Sequence, residues 1–475
     1  MPYHGLIFSC NFSNAQRLGG AYRIATFMRN HGWDIEVLDF VMHWSMQEIE
    51  EFLASRIGEH TRFVGFSTMW SQWNDHVDGI LNLVRRLHPD VITIIGGQQC
   101  QMISANPHYF INSYGENALL AILSHHVSAG PHLTLDHDWN QLGKRVLSHS
   151  NYPSAPLDSL LISYQDRDFL HEDEWLSIEF GRGCKFKCKF CNYPLLGVTR
   201  DHSRSAEDFE LQVRDAYDRF GITRYLVSDE TFNDDVGKMR KFANVVNGLD
   251  FKPYFSGFIR ADLMVARPED RHLLLELGFF GQYYGIESMS KDVGKLMGKG
   301  MDPSRLLPGL VEIRSFFKSH GPYRGEISLI VGLPNETKES MAATEQWLCD
   351  NWEGEAADAW PLGLPDNPMY NKMNALSLEK ESYGYRQSSE PVEDDPYNPN
   401  LFNWENDHFT YAEAKKTARL IRGRLNARDF RLSCWSLGDH GAESIEQALR
   451  LPKNALTVVP IDRIDRYKRG KLSVC

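Results

Sequence analysis

The chain has 475 residues, with 51 Lys and Arg against 63 Asp and Glu, a formal net charge of −12. Hydrophobic residues make up 42% and charged residues 24%, ordinary for a globular protein and outside the collagen-like, disordered and membrane-spanning ranges. The acidic balance argues against a protein that tracks a phosphate backbone, and at roughly 150 residues per domain the length suggests about three domains.

The first stretch alternates strand and helix. Leu6 to Ser9 reads as a short buried strand, and Ala21, Ile24, Ala25 and Met28 place one apolar face on a helix over 19–30. Strands follow at Ile35–Leu38, Phe63–Ser67 and Val91–Ile95, with a helix carrying Ile80, Leu83, Val84 and Leu87 before the last. Continuous apolar strands separated by helices predict a doubly wound parallel sheet covered on both faces, over residues 1–130. Residues 131–170 are polar and Pro-containing and read as a linker.

A second βα series starts at Leu176–Phe180 and continues at Tyr225–Ser228, Tyr254–Phe258, Gln282–Ile286 and Ile327–Val331. Ser205 with Asp208 marks one helix start, and another helix begins after Pro268. The spacing predicts an open sheet or partial barrel over 171–351, whose strand C-termini carry the chemistry. Residues 352–475 form a mixed C-terminal region: a Pro-, Asn-, Tyr- and Asp-rich loop or lid over 361–404, a basic amphipathic helix over 411–425, and a basic tail, Arg463 to Lys471, expected to be solvated. No apolar run approaches the ~20 residues of a membrane helix, and the N-terminus lacks a signal-peptide pattern.

Eight cysteines stand at 10, 100, 184, 188, 191, 349, 434 and 475. The five scattered ones read as buried or surface thiols in a reducing, cytoplasmic compartment. Cys184, Cys188 and Cys191 lie in Gly181-Arg182-Gly183-Cys184-Lys185-Phe186-Lys187-Cys188-Lys189-Phe190-Cys191, directly after a predicted strand. Three thiolates on one loop suit an Fe–S cluster. A structural zinc would need a fourth ligand, for which His202 is the nearest candidate. Lys185, Lys187 and Lys189 read as a solvated face of the loop.

The C-x3-C-x2-C loop with Phe190 before the last cysteine, placed at the end of the first strand of a βα series, resembles the radical S-adenosylmethionine (SAM) superfamily. Four later segments agree: Asp229-Glu230-Thr231-Phe232, Arg260-Ala261-Asp262, Gly285-Ile286-Glu287-Ser288, and Gly332-Leu333-Pro334-Asn335-Glu336-Thr337, where Asn335 replaces the usual Gly. The resemblance implies a [4Fe–4S] cluster on Cys184, Cys188 and Cys191 that binds S-adenosyl-L-methionine and cleaves it to a 5′-deoxyadenosyl radical. It places Phe190, Asn192 and Tyr193 near the adenine and Arg260 at the SAM carboxylate. Glu230 and Glu287 fall at the ammonium or ribose, with Ser288, Gly332 and Pro334 in the same cofactor-binding segments. It also implies a small-molecule or peptide substrate and an electron donor such as flavodoxin or ferredoxin.

The preceding doubly wound domain resembles the cobalamin (B12)-binding domain of one branch of that superfamily, through Gly19-Gly20, Ala25, Gly32, Val37-Leu38-Asp39, Phe66-Ser67, Ile95-Gly96-Gly97 and Tyr114-Gly115-Glu116. The Asp-x-His-x-x-Gly motif that supplies a lower-axial His is absent, so a bound corrinoid is expected base-off without protein His ligation. Only Cys10 and Cys100 lie in this domain, against the three cysteines of transfer-RNA methylthiotransferases, and nucleic acid is not an expected partner. The leading expectation is a cobalamin-dependent methyltransferase acting on an unactivated carbon. A cobalamin-independent cyclase or rearrangement enzyme, and a non-catalytic cluster- and SAM-binding regulator, stand beside it. No catalytic residue beyond the cofactor set is assigned.

Overall fold

The computed structural model describes residues 3–11, 16–68, 74–97, 106–112, 114–127, 135–139, 143–148, 150–196, 198, 202–365, 373–390, 402–424 and 455–473. Its first eight strands are β1 (Gly5–Ser9), β2 (Gln16–Arg17), β3 (Ile35–Leu38), β4 (Phe63–Ser67), β5 (Ile92–Gly96), β6 (Tyr109–Asn112), β7 (Asp138–Trp139) and β8 (Arg145–Ser148). Seven of them form one sheet in the order β3-β1-β4-β5-β6-β8-β7. All neighbours are parallel except β7 against β8. The chain leaves β1 to pair β3 on one side and returns to pair β4 on the other. Such a topological switch, at the carboxyl ends of β1 and β4, is where a doubly wound sheet binds its ligand.

Both faces of this sheet are covered, as the apolar strands require. Helices Gly19–Asn30 and Glu116–Val127 bury Ala21, Tyr22, Ala25, Leu119 and Ile122 against Ile7, Val37, Phe63 and Ile94. Helices Met46–Arg56 and Asn74–Leu87 bury Ile49, Phe52, Leu53, Ile80 and Val84 against Leu6, Phe8, Val64 and Ile95. The first of these cores runs on without a break into the second βα series.

That series supplies β9 (Trp175–Ile178), the short ribbon β10 (Gly181–Arg182) with β11 (His202–Ser203), then β12 (Arg224–Val227), β13 (Tyr254–Phe258), β14 (Phe279–Glu287), β15 (Arg324–Val331) and β16 (Ala356–Pro361). Six parallel βα strands line up in the order β16-β15-β14-β13-β12-β9, a partial (β/α)6 arrangement with one strand more than the five read from the sequence, because β16 lies past the expected 171–351 bound. The expected cap is present, the Ser205 hydroxyl accepting the Asp208 N–H at 3.1 Å, and Asp235 and Thr337 cap two further helices in the same way through Lys238 and Ser340.

The strands of this sheet are two-faced. Ile327, Leu329 and Val331 of β15 belong to the hydrophobic core. Glu326 and Ser328, on the alternate positions, share the other face with Tyr283 of β14 and Asp358 of β16, their registered neighbours.

Three sequence expectations change. The 131–170 segment is not only a linker: β7 and β8 extend the first sheet, and Leu157, Leu160 and Ile162 are core residues. Nor is the first domain self-contained, because β2 pairs with β9 as the seventh strand of the second sheet. The tail Arg463 to Lys471 is not wholly solvated, although Asp465, Arg466 and Arg469 are exposed. It lies in the helix Ala455–Ser473, whose Ile464 and Tyr467 enter the second core of the first domain. Lys471 is 1% exposed and its ammonium meets Glu36 at 3.0 Å and the Val37 carbonyl at 2.8 Å.

β2 and this helix meet at Arg17. The buried guanidinium pairs with Glu174 and Asp39, donates to the Tyr22 hydroxyl at 2.9 Å, and lies between the Phe40 and Tyr467 rings, 4.5 and 4.7 Å from their centres. Buried charge survives here because each group has opposite charge or hydrogen bonds around it; removing one partner of such a pair typically costs about 3–5 kcal/mol.

Candidate active site

Cys184, Cys188 and Cys191 follow β10 on one half-buried loop, turned by the Cys191 N–H donating to the Cys188 carbonyl at 3.1 Å. None of the described cysteines forms a disulfide; Cys10 is buried and Cys349 exposed, and the other three lie outside the described residues. Burial pushes the Cys191 thiol up to about 12, and its neighbours Cys188 and Cys184 add to the rise. Such thiols ionise only against a cation, and a bound iron supplies that charge. Among the described residues no three His, Cys, Asp or Glu side chains close around a single metal ion. Three thiols on one loop instead suit separate irons of one cluster, so the donor set fits a [4Fe–4S] group with one iron left open.

The carboxyl end of β12 holds the start of this loop. Asp229 accepts the Phe180 N–H at 2.7 Å, Glu230 accepts the Gly183 N–H at 3.0 Å, and Thr231 Oγ1 lies 3.8 Å from Cys184 Sγ. The loop's end is held from the C-terminal region. Asn374 donates to the Phe190 carbonyl at 3.0 Å and to Asn192 Oδ1 at 2.7 Å, and its own Oδ1 caps the helix Ala375–Leu378. Leu376 N–H reaches the Lys189 carbonyl at 3.0 Å, and Lys189 Nζ donates to Tyr383 at 2.7 Å. Lys185 and Lys187 are exposed as expected, but Lys189 is committed to this clamp. Tyr193 opens the turn Tyr193–Leu196 and is half-buried; of the His202 side chain nothing is described.

The other candidate residues end the neighbouring strands. Arg260 forks onto Asp262, with Nε donating at 2.9 Å, and stacks on Phe186 with 3.8 Å from guanidinium to ring centre. Arg260 also lies close enough to Cys188 and Cys184 to feel their charge. Glu287 takes a left-handed backbone at φ +67 and faces Lys299 at 3.4 Å; burial raises its carboxyl, against the pull of Lys299. Ser288 donates to Glu336 at 2.6 Å, joining β14 to the segment after β15. In that segment Asn335 has φ +66, so the departure from Gly is the one side chain type, with Asp, that tolerates this conformation best. Pro334 is buried, and Gly332 is packed under Trp404. A cleft runs between these strand ends, lined by Asp262, Gly285, Ser288, Lys299, Met301 and Leu306 among others.

Sequence reasoning missed Glu326, Ser328 and Asp358. The available signal was the polar–apolar alternation in Glu326-Ile327-Ser328-Leu329, since a parallel strand covered on both faces is usually apolar throughout. Tyr283 sits among them, its phenol raised far above the ordinary value by burial, with Glu326 and Asp358 adding to the rise. Asn374 and Tyr383 carried no motif.

The two domains meet at their carboxyl edges. Glu116 and Arg23 of the first domain pair at 2.7 Å, Arg23 reaches Glu179 at 2.9 Å, and Arg182 forks onto Glu179 and approaches Glu116 at 3.4 Å. Burial alone would raise the Glu179 carboxyl, but Arg182 and Arg23 pull it down to about 2. Tyr114 lies over Arg182 at 4.0 Å and donates to Glu230 at 3.1 Å. The glycine pattern of the first domain has a local cause at Gly97, whose φ is +124: a Cβ there would fall 1.6 Å from the Thr68 carbonyl, so the close approach it permits is to the chain itself. The loops after β1, β4 and β5, at 12–15, 69–73 and 98–105, lie outside the described residues.

Residues 178–348 match the family described as the Radical SAM superfamily. Over 207 residues it is 27% identical to a protein of Pyrococcus horikoshii named uncharacterized methyltransferase PH0819, covering 41% of this chain and 43% of that relative. The chain thus matches less than half the length of this curated relative. Its fold is similar to that of the radical S-adenosylmethionine methyltransferase TsrM from Kitasatospora setae, solved with cobalamin and a [4Fe–4S] cluster bound, at TM-score 0.67 and 13% identity over 100% of both chains. It is also similar to OxsB, a cobalamin-dependent S-adenosylmethionine radical enzyme solved with aqua-cobalamin and S-adenosylmethionine, at TM-score 0.63 and 14% identity over 99% of this chain and 72% of that one. At these identities the likeness is one of fold, and it spans both domains.

Proposed function

We propose that the protein is a radical SAM enzyme with its cluster on Cys184, Cys188 and Cys191, and that it is a cobalamin-dependent methyltransferase acting on an unactivated carbon of a small molecule or peptide. When bound, the cluster and SAM supply one-electron reductive cleavage, given an external donor such as flavodoxin or ferredoxin, and cobalamin supplies a methyl carrier. The observation that carries the proposal is that the carboxyl edges of the two sheets face each other across Tyr114 and Glu230. The carboxyl ends of the strands are where a doubly wound sheet and a βα barrel each bind their ligands, and here a hydrogen bond joins the two edges.

This chain's own residues have positioning roles. Glu230, Asp229 and Asn374 fix the loop so that three thiols converge. Arg260 and Lys299 are the cations beside it, suited to a carboxylate, and Glu287 is the acid suited to an ammonium or a ribose hydroxyl. Phe190, Asn192 and Tyr193, at the end of the cluster loop, are assigned to the adenine side, and Ser288, which lines the cleft, with Gly332 and Pro334 after β15, to the rest of the cofactor. Tyr283, Glu326, Ser328 and Asp358, on the face turned from the core, are the groups a substrate entering the barrel would meet.

The test is anaerobic reconstitution with hydroxocobalamin, followed by equilibrium dialysis and an absorbance spectrum. Binding of about one corrinoid per chain in the base-off form supports the proposal. Formation of 5′-deoxyadenosine with no corrinoid bound would move the assignment to a cobalamin-independent cyclase or rearrangement enzyme. Cluster and SAM binding without SAM cleavage would point to a regulator.

A further inference from the structure

The two domains are already joined by the shared core, by β2 on β9 and by the ion pairs Arg23–Glu179 and Arg182–Glu116. Tyr114 adds something different. It follows β6, at the sheet edge where β1, β4 and β5 also end, so it stands on the ligand-binding rim of the first domain. Its hydroxyl crosses to Glu230 Oε1 at 3.1 Å. The other oxygen of that carboxylate takes the Gly183 N–H at 3.0 Å, and Gly183, at φ +96, immediately precedes Cys184. One carboxylate therefore ties a first-domain phenol to the backbone that sets the direction of the first cluster ligand.

We infer that Tyr114 is a positioning residue for the radical chemistry, coupling occupation of the first domain's rim to the geometry of the cluster loop through Glu230 and Gly183. The coupling half rests on the cobalamin function proposed above; the relay half rests on the bonds alone. A sequence reading assigns Glu230 to the ammonium or ribose of SAM, but in this fold its two oxygens face Tyr114 and Gly183. The ring of Tyr114 packs on Arg182 whether or not it carries a hydroxyl, so Tyr114→Phe removes the relay and keeps the stacking. Coupling of this kind is reciprocal: what the rim ligand does to the loop, the loop does to the rim ligand.

The experiment is hydrogen–deuterium exchange of the full-length, cluster-reconstituted protein, read on peptides spanning 181–192 and paired with thermal melting. Tyr114→Phe is expected to speed exchange there by about three- to tenfold, the loss of one hydrogen bond's worth of local protection. Glu230→Gln should do the same, and the double variant should add little to either alone. Hydroxocobalamin should slow exchange of 181–192 in the wild type and leave it unchanged in Tyr114→Phe. Unchanged loop exchange in Tyr114→Phe, with or without a lowered melting temperature, overturns the relay and makes Tyr114 a packing residue. Additive single-variant effects also overturn it. A wild-type loop that ignores bound hydroxocobalamin overturns the coupling. If hydroxocobalamin does not bind, the coupling falls with the cobalamin assignment, and the relay is decided by the Tyr114→Phe and Glu230→Gln exchange alone.

Discussion

Trp404 occupies the space that a side chain on Gly332 would need: a Cβ there would fall 2.3 Å from the indole Cη2. The Tyr385 hydroxyl donates to the Gly332 carbonyl at 2.7 Å and the Trp404 indole to the Leu362 carbonyl at 2.9 Å. The C-terminal region is thus seated directly on the end of β15. Gly332 also has φ +89, so Ala at this position meets both strain and overlap. Gly332→Ala should cost about 2–4 kcal/mol in urea melts. Measured in a Trp404→Leu background, the same substitution should cost only the backbone part, because the overlap is gone. A Gly332→Ala protein as stable as the wild type would contradict this packing.

Arg260 has two calls on its guanidinium, Asp262 and whatever anion binds beside the cluster loop. Arg260→Ala is expected to keep its iron and to bind S-adenosylmethionine about tenfold to a hundredfold more weakly, the loss of a charge-assisted hydrogen bond worth roughly 1.5–3 kcal/mol. Equilibrium binding and thermal melting of the same reconstituted variant check this. Unchanged affinity with a lowered melting temperature would mean that Arg260 serves only to pin Asp262.

Much of this site was legible from residue order, because the cluster loop, the strand ends and the turn glycines are local. Ser205, with Asp208 three residues on, caps its helix as the local pattern indicated. What was hidden is long-range. β2 is two residues long and finds its partner 159 positions away, where Arg17 registers with Leu176. Lys471 sits in a basic segment that composition assigns to solvent, yet Glu36 and Asp168 make a buried slot for it. Asn374 clamps the cluster loop from a region whose composition indicates only a loop. No short window of sequence contains both partners of any of these contacts.

The C-terminal helix follows from the same contacts. Arg56 donates to the Lys471 carbonyl at 2.6 Å, and the Asp39 N–H to the Tyr467 hydroxyl at 2.7 Å. Lys471→Met leaves Asp168 and part of Glu36 without their buried cation, so a loss of about 3 kcal/mol is expected. Urea unfolding measures it. A loss below about 0.5 kcal/mol, the size of an exposed ion pair, would place Lys471 in solvent after all.

The domain interface should weaken in acid. The folded Glu179 carboxyl lies at about 2 against an ordinary value of 4.5. A depressed folded value contributes stability that is complete above the unfolded value and is lost as pH falls toward the folded one. The Glu179 contribution should therefore be full at neutral pH and decline between about 4.5 and 2. Melts of the wild type and Glu179→Gln over that range should converge as pH falls; a constant difference would show that Glu179 does not titrate with the interface.

The most direct measurement is iron content and 5′-deoxyadenosine formation after anaerobic reconstitution, in the wild type and in Cys184→Ala/Cys188→Ala/Cys191→Ala. The wild type should hold about four irons per chain and release 5′-deoxyadenosine from S-adenosylmethionine on reduction, and the triple variant should be folded, with the wild-type circular dichroism, and do neither. About four irons retained in the folded triple variant, or no 5′-deoxyadenosine from a wild type with a full cluster, would contradict the assignment.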